Sequence, residues 1–387
     1  MNEPKLRFKA DDGSQFPDWE KKKLSDIFVE RREMQCIDDE YKLLSFTIEQ
    51  GVINPEDKKT NKRDFLMKDK ASKKFLRTEY NDIIYNPANL KYGAINRNKL
   101  GKGLLSPIYA IFYTEQNAVF MESIVRNPDF IKRTLKYLEG TVIKLMTLKP
   151  RDFLRMKSYI PCLEEQQKIA EFLSTIDTVI AKQKEIVSVW EERKKGVMQK
   201  LFRQEVRFKA DDGSNFPEWE EKKLGDIADV KVGEKPTLVS DNAAYEYVNA
   251  GTTNSGYVDS YNCDGDTVTT PSRGQGGIGY VGYQKHEFWL GPLCYKIKSN
   301  KDDVLTKFMY YALNFDSKKI VDLKKVGTIP AINRADLIEL YMNFPCLAEQ
   351  QKIADCLSSL DEVIEKQKAT LAAWEELKIG LLQQMFV

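Results

Sequence analysis

The chain has little of what catalysis or metal binding would need. Its 387 residues include one histidine, His286, which excludes a histidine metal cluster and argues against Ser-His-Asp or Cys-His catalysis. The six cysteines are scattered and form no Cys-x-x-Cys pair, which argues against a zinc site and against a disulfide framework. We therefore expect neither catalytic residues nor a bound metal, and the chain is predicted not to be an enzyme.

Long hydrophobic runs are absent as well. No stretch approaches the ~20 apolar residues of a membrane span, and the first ten residues lack the apolar core of a signal peptide. We expect a cytoplasmic protein without a membrane partner. The net charge is only +2, which is low for a nucleic-acid-binding chain. Such a role would need locally concentrated positive charge, or partner subunits that neutralise phosphates.

What the sequence does contain is an internal duplication. Residues 7–28 (RFKADDGSQFPDWEKKKLSDIF) and 207–228 (RFKADDGSNFPEWEEKKLGDIA) are identical at 17 of 22 positions. Residues 161–202 and 345–386 are identical at 24 of 42 positions. Chance does not produce this agreement, so the chain is one unit written twice. We call these four stretches the framing segments.

The stretches inside the framing segments, residues 29–160 and 229–344, are the two interiors, and they have diverged. The offset between the copies falls from 200 residues to 184, so the first interior has 16 extra residues. A fainter match at offset 184 places Asp82 on Asp266. We infer that both interiors share one fold, that their loops differ, and that most of the extra residues lie before Asp82.

The second pair of framing segments predicts two long helices. Apolar residues recur there at alternating spacings of four and three over more than four heptads, the pattern of a coiled coil. Each narrow apolar face needs a partner, so we expect the two helices to pair antiparallel with pseudo-twofold symmetry. The predicted seam residues are Ile169, Leu173, Ile176, Ile180, Val187 and Trp190 in the first helix and Ile353, Leu357, Leu360, Ile364, Leu371 and Trp374 in the second.

Polar residues occupy matched places on this seam, at Gln183 and Gln367 and again at Lys194 and Lys378. They either fix the register of the two helices at some cost in stability, or extend their polar ends to the edge of the seam. The sequence leaves both interpretations open.

The interiors predict mixed α/β domains. Short β-branched and aromatic runs between glycine-rich turns predict strands, at 83–85, 109–113, 245–248, 266–270, 280–283 and 293–297. Helices are predicted over 302–315 and over 117–138, the latter broken near Pro128.

Basic and polar loops in the interiors are candidates for DNA contacts. Residues 58–77 hold nine Lys or Arg against two Asp and predict a phosphate-contacting arm, with a solvated surface loop as the alternative. Loops 86–102 and 271–285 carry side chains that hydrogen-bond base edges or phosphates, although ordinary loop chemistry competes at each position. The candidate DNA-binding residues are Lys58, Lys59, Lys62, Arg63, Lys73, Lys74, Arg77, Tyr92, Asn96, Arg97, Asn98, Lys99, Thr252, Thr253, Asn254, Ser272, Arg273, Gln275, Thr328 and Arg334.

Two motifs suggest other chemistry and fail on context. Residues 274–279 match G-x-G-x-x-G, but a strand-like run follows where a dinucleotide site needs a helix. Residues 86–89 (NPAN) resemble the loop of adenine methyltransferases but lack the aromatic residue that stacks a flipped base.

Two diverged interiors, each followed by P-C-L-x-E-Q-Q-K-I-A and a long heptad helix, resemble the specificity subunits of type I restriction–modification systems. The resemblance covers nearly the whole chain, and the element that occurs at 161–170 and 345–354 is its specific part. It implies that each interior is a target-recognition domain reading one half of a split, asymmetric DNA site. It also implies that the paired helices are a spacer.

The resemblance further implies the partners and cofactors. These are double-stranded DNA, two methyltransferase subunits that methylate adenine at N6 with S-adenosylmethionine, and restriction/translocase subunits that use ATP. The chain itself needs no cofactor. The fold class is then α+β, with a first target-recognition domain (1–160), a first spacer helix (161–203), a second target-recognition domain (204–344) and a second spacer helix (345–387).

The competing function is a coiled-coil scaffold with two surface domains and no sequence-specific DNA role. It accounts for the duplication. It does not account for interiors that diverged while the framing segments did not.

Overall fold

The computed structural model describes residues 4–58, 73–139, 146–274, 276–325 and 329–386. The chain forms two compact units. Unit 1 comprises Met1–Gln183 and Thr370–Val387, and unit 2 comprises Lys184–Ala369. Each unit therefore contains one interior, the beginning of one long helix and the end of the other. Among the described residues, no helix combines the length and the apolar character that crossing a bilayer would require.

Unit 1 is built from short strands and helices. The strands are β1 (Glu20–Lys23), β2 (Phe28–Glu30), β3 (Met34–Gln35), β4 (Ser45–Thr47), β5 (Gly51–Ile53), β6 (Phe75–Thr78), β7 (Ile83–Tyr85), β8 (Ile95–Arg97), β9 (Gly103–Leu105), β10 (Ala110–Thr114) and β11 (Lys157–Ile160). The helices are α1 (Ala118–Arg126), α2 (Pro128–Thr134), α3 (Pro150–Arg155) and the long α4 (Leu163–Phe202), which ends in unit 2.

Unit 2 is likewise built from short strands and helices and one long helix. The strands are β12 (Glu220–Lys223), β13 (Ala228–Val232), β14 (Tyr245–Val248), β15 (Tyr257–Val258), β16 (Thr267–Pro271), β17 (Gly282–Gln284), β18 (Trp289–Leu290), β19 (Cys294–Ser299) and β20 (Tyr341–Phe344). The helices are α5 (Leu224–Ile227), α6 (Thr306–Phe315), α7 (Ser317–Asp322), α8 (Arg334–Ile338) and the long α9 (Leu347–Met385), which ends in unit 1.

Both units follow one plan. The central antiparallel sheet has the order β2-β10-β7-β8 in unit 1 and β13-β19-β16-β17 in unit 2. A second ladder joins the framing segment before each interior to the end of that interior, from Glu20↔Ile160 in unit 1 and from Glu220↔Phe344 in unit 2. The inference that the interiors share one fold is therefore confirmed.

The extra residues of the first interior fall where the sequence placed them. Residues 54–82 separate β5 from β7, whereas only 259–266 separate β15 from β16. Unit 1 uses the added length for β6, which lies between β3 and β9 in a further antiparallel sheet. The basic run at 58–77 lies within this insertion.

The predicted elements occur close to their expected places. The strand predictions 83–85 and 245–248 coincide with β7 and β14, and the other four are displaced by one or two residues. The predicted helix over 302–315 begins only at Thr306. The backbone of Leu305 is extended, and its N–H donates to Gln350 Oε1 at 2.9 Å instead of pointing into the helix. The break near Pro128 lies between α1 and α2.

Within each unit, the two long helices run antiparallel. In unit 2, Lys194 of α4 contacts Asp361 of α9, and Glu191, one turn earlier on α4, lies 2.6 Å from Lys368 further along α9. The predicted antiparallel coiled coil is confirmed. Eight predicted seam residues are buried, namely Ile169, Leu173, Ile176, Ile180, Val187, Ile353, Leu357 and Ile364. The other four are half-buried, namely Trp190, Leu360, Leu371 and Trp374.

The lysines on the seam pair with aspartates of the opposite helix. Lys194 donates to Asp361 in unit 2, and Lys378 donates to Asp177 in unit 1. The two pairs are related by the duplication, since each residue has its counterpart 184 positions away. This arrangement favours the interpretation that these lysines fix the helix register.

Candidate nucleic-acid interface

The framing segments close unit 1 around a buried carboxylate. Arg7 donates from Nε and Nη2 to the two oxygens of Glu165, at 3.0 and 2.8 Å. Trp19 Nε1 donates to Glu165 Oε2 at 3.1 Å, and the Glu165 side chain is fully buried. Three separate parts of the repeat thus meet at the start of α4. The same contacts recur in unit 2, between 2.8 and 3.2 Å, with Arg207, Trp219 and Glu349.

The glutamine that follows this glutamate fixes the helix to the rest of its unit. Gln166 Nε2 donates to Pro161 O at 2.9 Å, and Gln166 Oε1 accepts the N–H of Asn117, which caps α1, at 3.1 Å. In unit 2, Gln350 Nε2 donates to Pro345 O at 2.8 Å and Oε1 accepts Leu305 N–H. The E-Q-Q element is therefore structural. Sequence analysis missed this role, although the exact repetition of Arg, Trp and Glu was the signal.

Two of the asparagines predicted to bind DNA face into unit 1. Asn98 is fully buried, where it donates to Thr78 Oγ1 at 3.0 Å and to Gly101 O at 2.7 Å. Asn96 is 3% exposed and donates to the carbonyl of Ile48 at 3.0 Å. Their amides are occupied by the protein, so both residues shape loops rather than present hydrogen-bonding groups outward.

Arg97 is also held inside unit 1. It donates to Glu122 Oε2 at 3.1 Å and to Asn81 Oδ1 at 2.7 Å, and it is 9% exposed. Burial alone raises the pKa of Glu122, but the positive charges of Lys99 and Arg97 outweigh it and hold that pKa below its usual range. Lys99 is exposed, with its Nζ 3.1 Å from Glu122.

Other candidates of unit 1 are available at the surface. Tyr92 is 64% exposed, Lys73 and Lys74 are exposed, and Lys58 is half-buried. Arg77 is half-buried and contacts Glu33 at 2.9 Å as well as Glu79 and Tyr41. The predicted residues Lys59, Lys62 and Arg63 lie outside the described residues. Contact with DNA stays a prediction for all of them.

In unit 2, the predicted loops converge. Gly274 N–H donates to Pro330 O at 3.2 Å and Ile332 N–H donates to Ser272 O at 2.9 Å, which joins the loop after β16 to the segment before α8. The loop after β14 also lies against this region, because a Cβ at Gly277 would be 3.0 Å from the backbone nitrogen of Gly251. The three polar loops of the second interior therefore form one surface.

The side chains on this surface have the chemistry that DNA contacts use. The exposed candidates are Thr252, Thr253, Asn254, Arg273 and Arg334. Arg334 also donates from Nε to Val230 O at 2.6 Å, whereas Ser272 is 4% exposed. Gln275 and Thr328 lie outside the described residues. Hydroxyl, amide and guanidinium groups of this kind bond phosphates and base edges. Across the described ranges, no cluster of three or more His, Cys, Asp or Glu could hold a metal ion.

The chain is similar to known specificity subunits in sequence. Residues 217–373 match the family model of the type I restriction modification DNA specificity domain. The chain is 28% identical over 253 residues to the putative type I restriction enzyme MjaX specificity subunit of Methanocaldococcus jannaschii, covering 60% of this chain and 59% of that protein. It is 28% identical over 341 residues to the MjaVIII specificity subunit of the same organism, covering 77% and 78%.

A third relative is a putative type I specificity subunit of Mycoplasma pneumoniae, 29% identical over 155 residues, which cover 38% of this chain and 42% of that protein. The chain thus spans about half the length of several of the curated relatives it matches, 59% for MjaX and 42% for the M. pneumoniae protein.

Solved structures show the same fold. The crystal structure of the type I restriction–modification S subunit from M. genitalium superimposes with a TM-score of 0.64 at 16% identity, covering 100% of this chain and 99% of that chain. A chain from a study of complex assembly and conformational transition in a type I system matches with a TM-score of 0.50 at 16% identity, covering 96% and 98%. The specificity-domain match, the curated relatives and the shared fold thus show that the chain is similar, in sequence and in architecture, to the specificity subunits of type I restriction–modification systems.

Proposed function

We propose that this chain reads a bipartite, asymmetric DNA site and directs partner adenine-N6 methyltransferase and restriction subunits to it. The observation that carries the proposal is the contrast between the two parts of each unit. The buried network around Glu165 and Glu349 is the same in both units, whereas the loops at the edge of the central sheet differ.

This contrast is what such a role requires. Two copies of one methyltransferase need two copies of one docking framework, and the framing segments supply it. Two different half-sites need two different sets of base contacts, and the diverged loops supply those. S-adenosylmethionine and ATP would be bound by the partner subunits. The role requires access to DNA, and therefore a cytoplasmic location.

The distribution of charge supports the same role. The chain carries 60 Lys and Arg against 58 Asp and Glu, so it cannot neutralise many phosphates as a whole. Lys73 and Lys74, which belong to the basic run 58–77 of unit 1, are exposed and available for phosphate contacts. We expect the remaining phosphate contacts to come from the methyltransferase subunits, and the affinity of the complex for DNA to fall steeply with salt.

A methylome tests the proposal. The chain is expressed with its neighbouring methyltransferase in a host that lacks adenine methylation, and N6-methyladenine is mapped by long-read sequencing. A single bipartite, asymmetric motif is expected, and replacing residues 29–160 with another interior is expected to change one half of it only. Absence of methylation from a stable complex would leave the scaffold function as the better account.

A further inference from the structure

The hairpin β4–β5 of unit 1 occupies the place of a predicted DNA-binding loop of unit 2. β4 begins at Ser45 and β14 at Tyr245, 200 positions apart, the same offset as the first pair of framing segments. Each strand forms an antiparallel pair with the next one, β5 or β15. The turn of the unit 2 hairpin contains Thr252, Thr253 and Asn254. The equivalent turn of unit 1 is Ile48, Glu49 and Gln50, which sequence analysis did not select.

This turn is held firmly against the central sheet. The Asn96 amide at the end of the sheet donates to Ile48 O at 3.0 Å. Gly51 has a φ of +72°, and a Cβ there would lie 2.7 Å from Asn96 Cβ, so glycine is needed for the close approach. The buried Asn96 is therefore a positioning residue for the turn. In unit 2, Gly251 makes the corresponding approach to Gly277.

Between this turn and the loop after β7 lies a cleft of about 580 Å³. The aromatic rings of Phe46 and Tyr109, 5.3 Å apart, line it. Gln50 and Asn89 line it from two different loops, and both are exposed. Asn89 precedes a single turn of 3-10 helix, yet its side chain makes no capping hydrogen bond, which leaves the amide available to a ligand.

The chemistry of these groups matches one kind of base pair. Asn and Gln amides form bidentate hydrogen bonds with N6 and N7 of adenine, and apolar side chains contact the thymine methyl group. Ile48, two residues before Gln50 in the same turn, is 43% exposed and provides such an apolar group. A duplex edge carrying adenine and a methyl group is therefore complementary to this cleft.

We infer that Gln50 and Asn89 are specificity-determining residues of unit 1 and read at least one A·T pair of its half-site, with Ile48 against the thymine methyl group. The inference rests on the proposed function and adds the residues and the base pair. Asn96 and Asn98, whose amides face inward, are then not the residues that read bases in this interior. That role falls to the turn that Asn96 supports and to the loop after β7.

The test uses the full chain assembled with its methyltransferase. Methylomes of Gln50→Ala and Asn89→Ala are compared with those of the unaltered chain and of Gln15→Ala. Gln15 is an exposed glutamine outside the cleft, and its counterpart is Asn215, so it is a matched control. In at least one cleft variant, one A·T position in the unit 1 half-site is expected to become degenerate, with discrimination reduced about tenfold or more. The other half-site should not change.

A second measurement decides the matter if a variant methylates poorly. The affinities of the assembled complex for the recognised duplex and for one with that A·T pair changed to G·C are compared by competition, and the ratio is expected to fall about tenfold. If both variants keep the full motif and the affinity ratio of the unaltered chain, the inference is overturned. If the unaltered chain gives no bipartite motif, the proposed function itself fails.

Discussion

Arg7 and Glu165 are 158 positions apart in the sequence and are joined by two parallel hydrogen bonds, of 3.0 and 2.8 Å. Bidentate pairs of this type are strong and geometrically specific. The pair brings the first framing segment to the helix that follows the interior, so it closes unit 1 at the two ends of the interior. Because Glu165 is fully buried, removing either partner leaves the other without its closest opposite charge.

Glu165→Ala is therefore expected to lower the free energy of unfolding by about 3–5 kcal/mol, the cost of breaking a buried charge pair. Urea denaturation followed by circular dichroism measures it. Asp18→Ala is the matched control, since Asp18 is 85% exposed and lies 3.8 Å from the same arginine. That exposed contact should contribute at most about 1 kcal/mol. Equal effects of the two substitutions would contradict the structural role of Glu165.

Asn98→Ala is expected to destabilise the protein without altering the DNA motif. The Asn98 side chain donates two hydrogen bonds and accepts the N–H groups of Leu100 and Gly101, at 2.9 and 3.2 Å. Removing it leaves buried polar groups unpaired, at a cost of about 1–3 kcal/mol. Thermal unfolding and a methylome of the same variant check both parts. Tyr92→Ala, at a 64% exposed position, should leave the stability unchanged. A relaxed motif in Asn98→Ala with unchanged stability would support direct base reading instead.

The long helices and the framing segments were predictable, because a heptad pattern and a duplication can be read without knowing the tertiary structure. The predicted spacer helices, 161–203 and 345–387, differ from α4 and α9 by two residues or fewer at each end. The residue types in a loop do not determine which of its polar side chains face the solvent, so this could not be predicted from the sequence. Asn96 and Asn98 have the same residue type as Asn89, yet the first two are buried and only Asn89 is exposed. The Gln50 turn was missed because Ile48, Glu49 and Gln50 include one amide and no basic or hydroxyl side chain, so composition did not mark them as a DNA contact.

The cysteines should differ in reactivity. Burial raises the pKa of the Cys294 thiol from near 9 to about 12, and burial also raises that of Cys263. Cys162 and Cys346 are half-buried. Alkylation of the native protein at pH 8, followed by mass spectrometry, should therefore modify Cys162 and Cys346 well before Cys263 and Cys294. Rapid modification of Cys294 in the native state would contradict its burial.

The same shift predicts a dependence of stability on pH. Because the native state keeps the proton of Cys294 to a higher pH than the unfolded state, its contribution to stability is complete below pH 9 and is lost as the pH rises toward about 12. Cys294→Ala removes this loss. The free energy of unfolding should fall less steeply between pH 9 and 12 in Cys294→Ala than in the unaltered chain, as measured by urea denaturation at each pH. Parallel slopes would show that the thiol does not titrate differently in the two states.

A fragment of residues 1–203 is expected to dimerise. In unit 1, Phe386 follows α9, and its ring centroid lies 5.6 Å from that of Phe120. In unit 2, Phe202 ends α4, and its ring centroid lies 5.5 Å from that of Phe308. The fragment lacks Phe386 but contains Phe202, its counterpart in the duplication. The α4 end of a second copy can therefore fill the vacant core position. Light scattering after size-exclusion chromatography should give twice the fragment mass, and Phe202→Asp should abolish the dimer. A folded monomer would disprove this exchange.

The network around Glu165 uses side chains from the framing segments, while the interior contributes mainly the strands that they enclose. A different interior can therefore be exchanged as a cassette, provided that it ends in a strand that pairs with β1 as β11 does. The similarity of the framing segments gives the two cassettes matching boundaries. Under the proposed function, a new target sequence would arise by a single exchange of modules, and the framework that the partner subunits bind would be inherited unchanged.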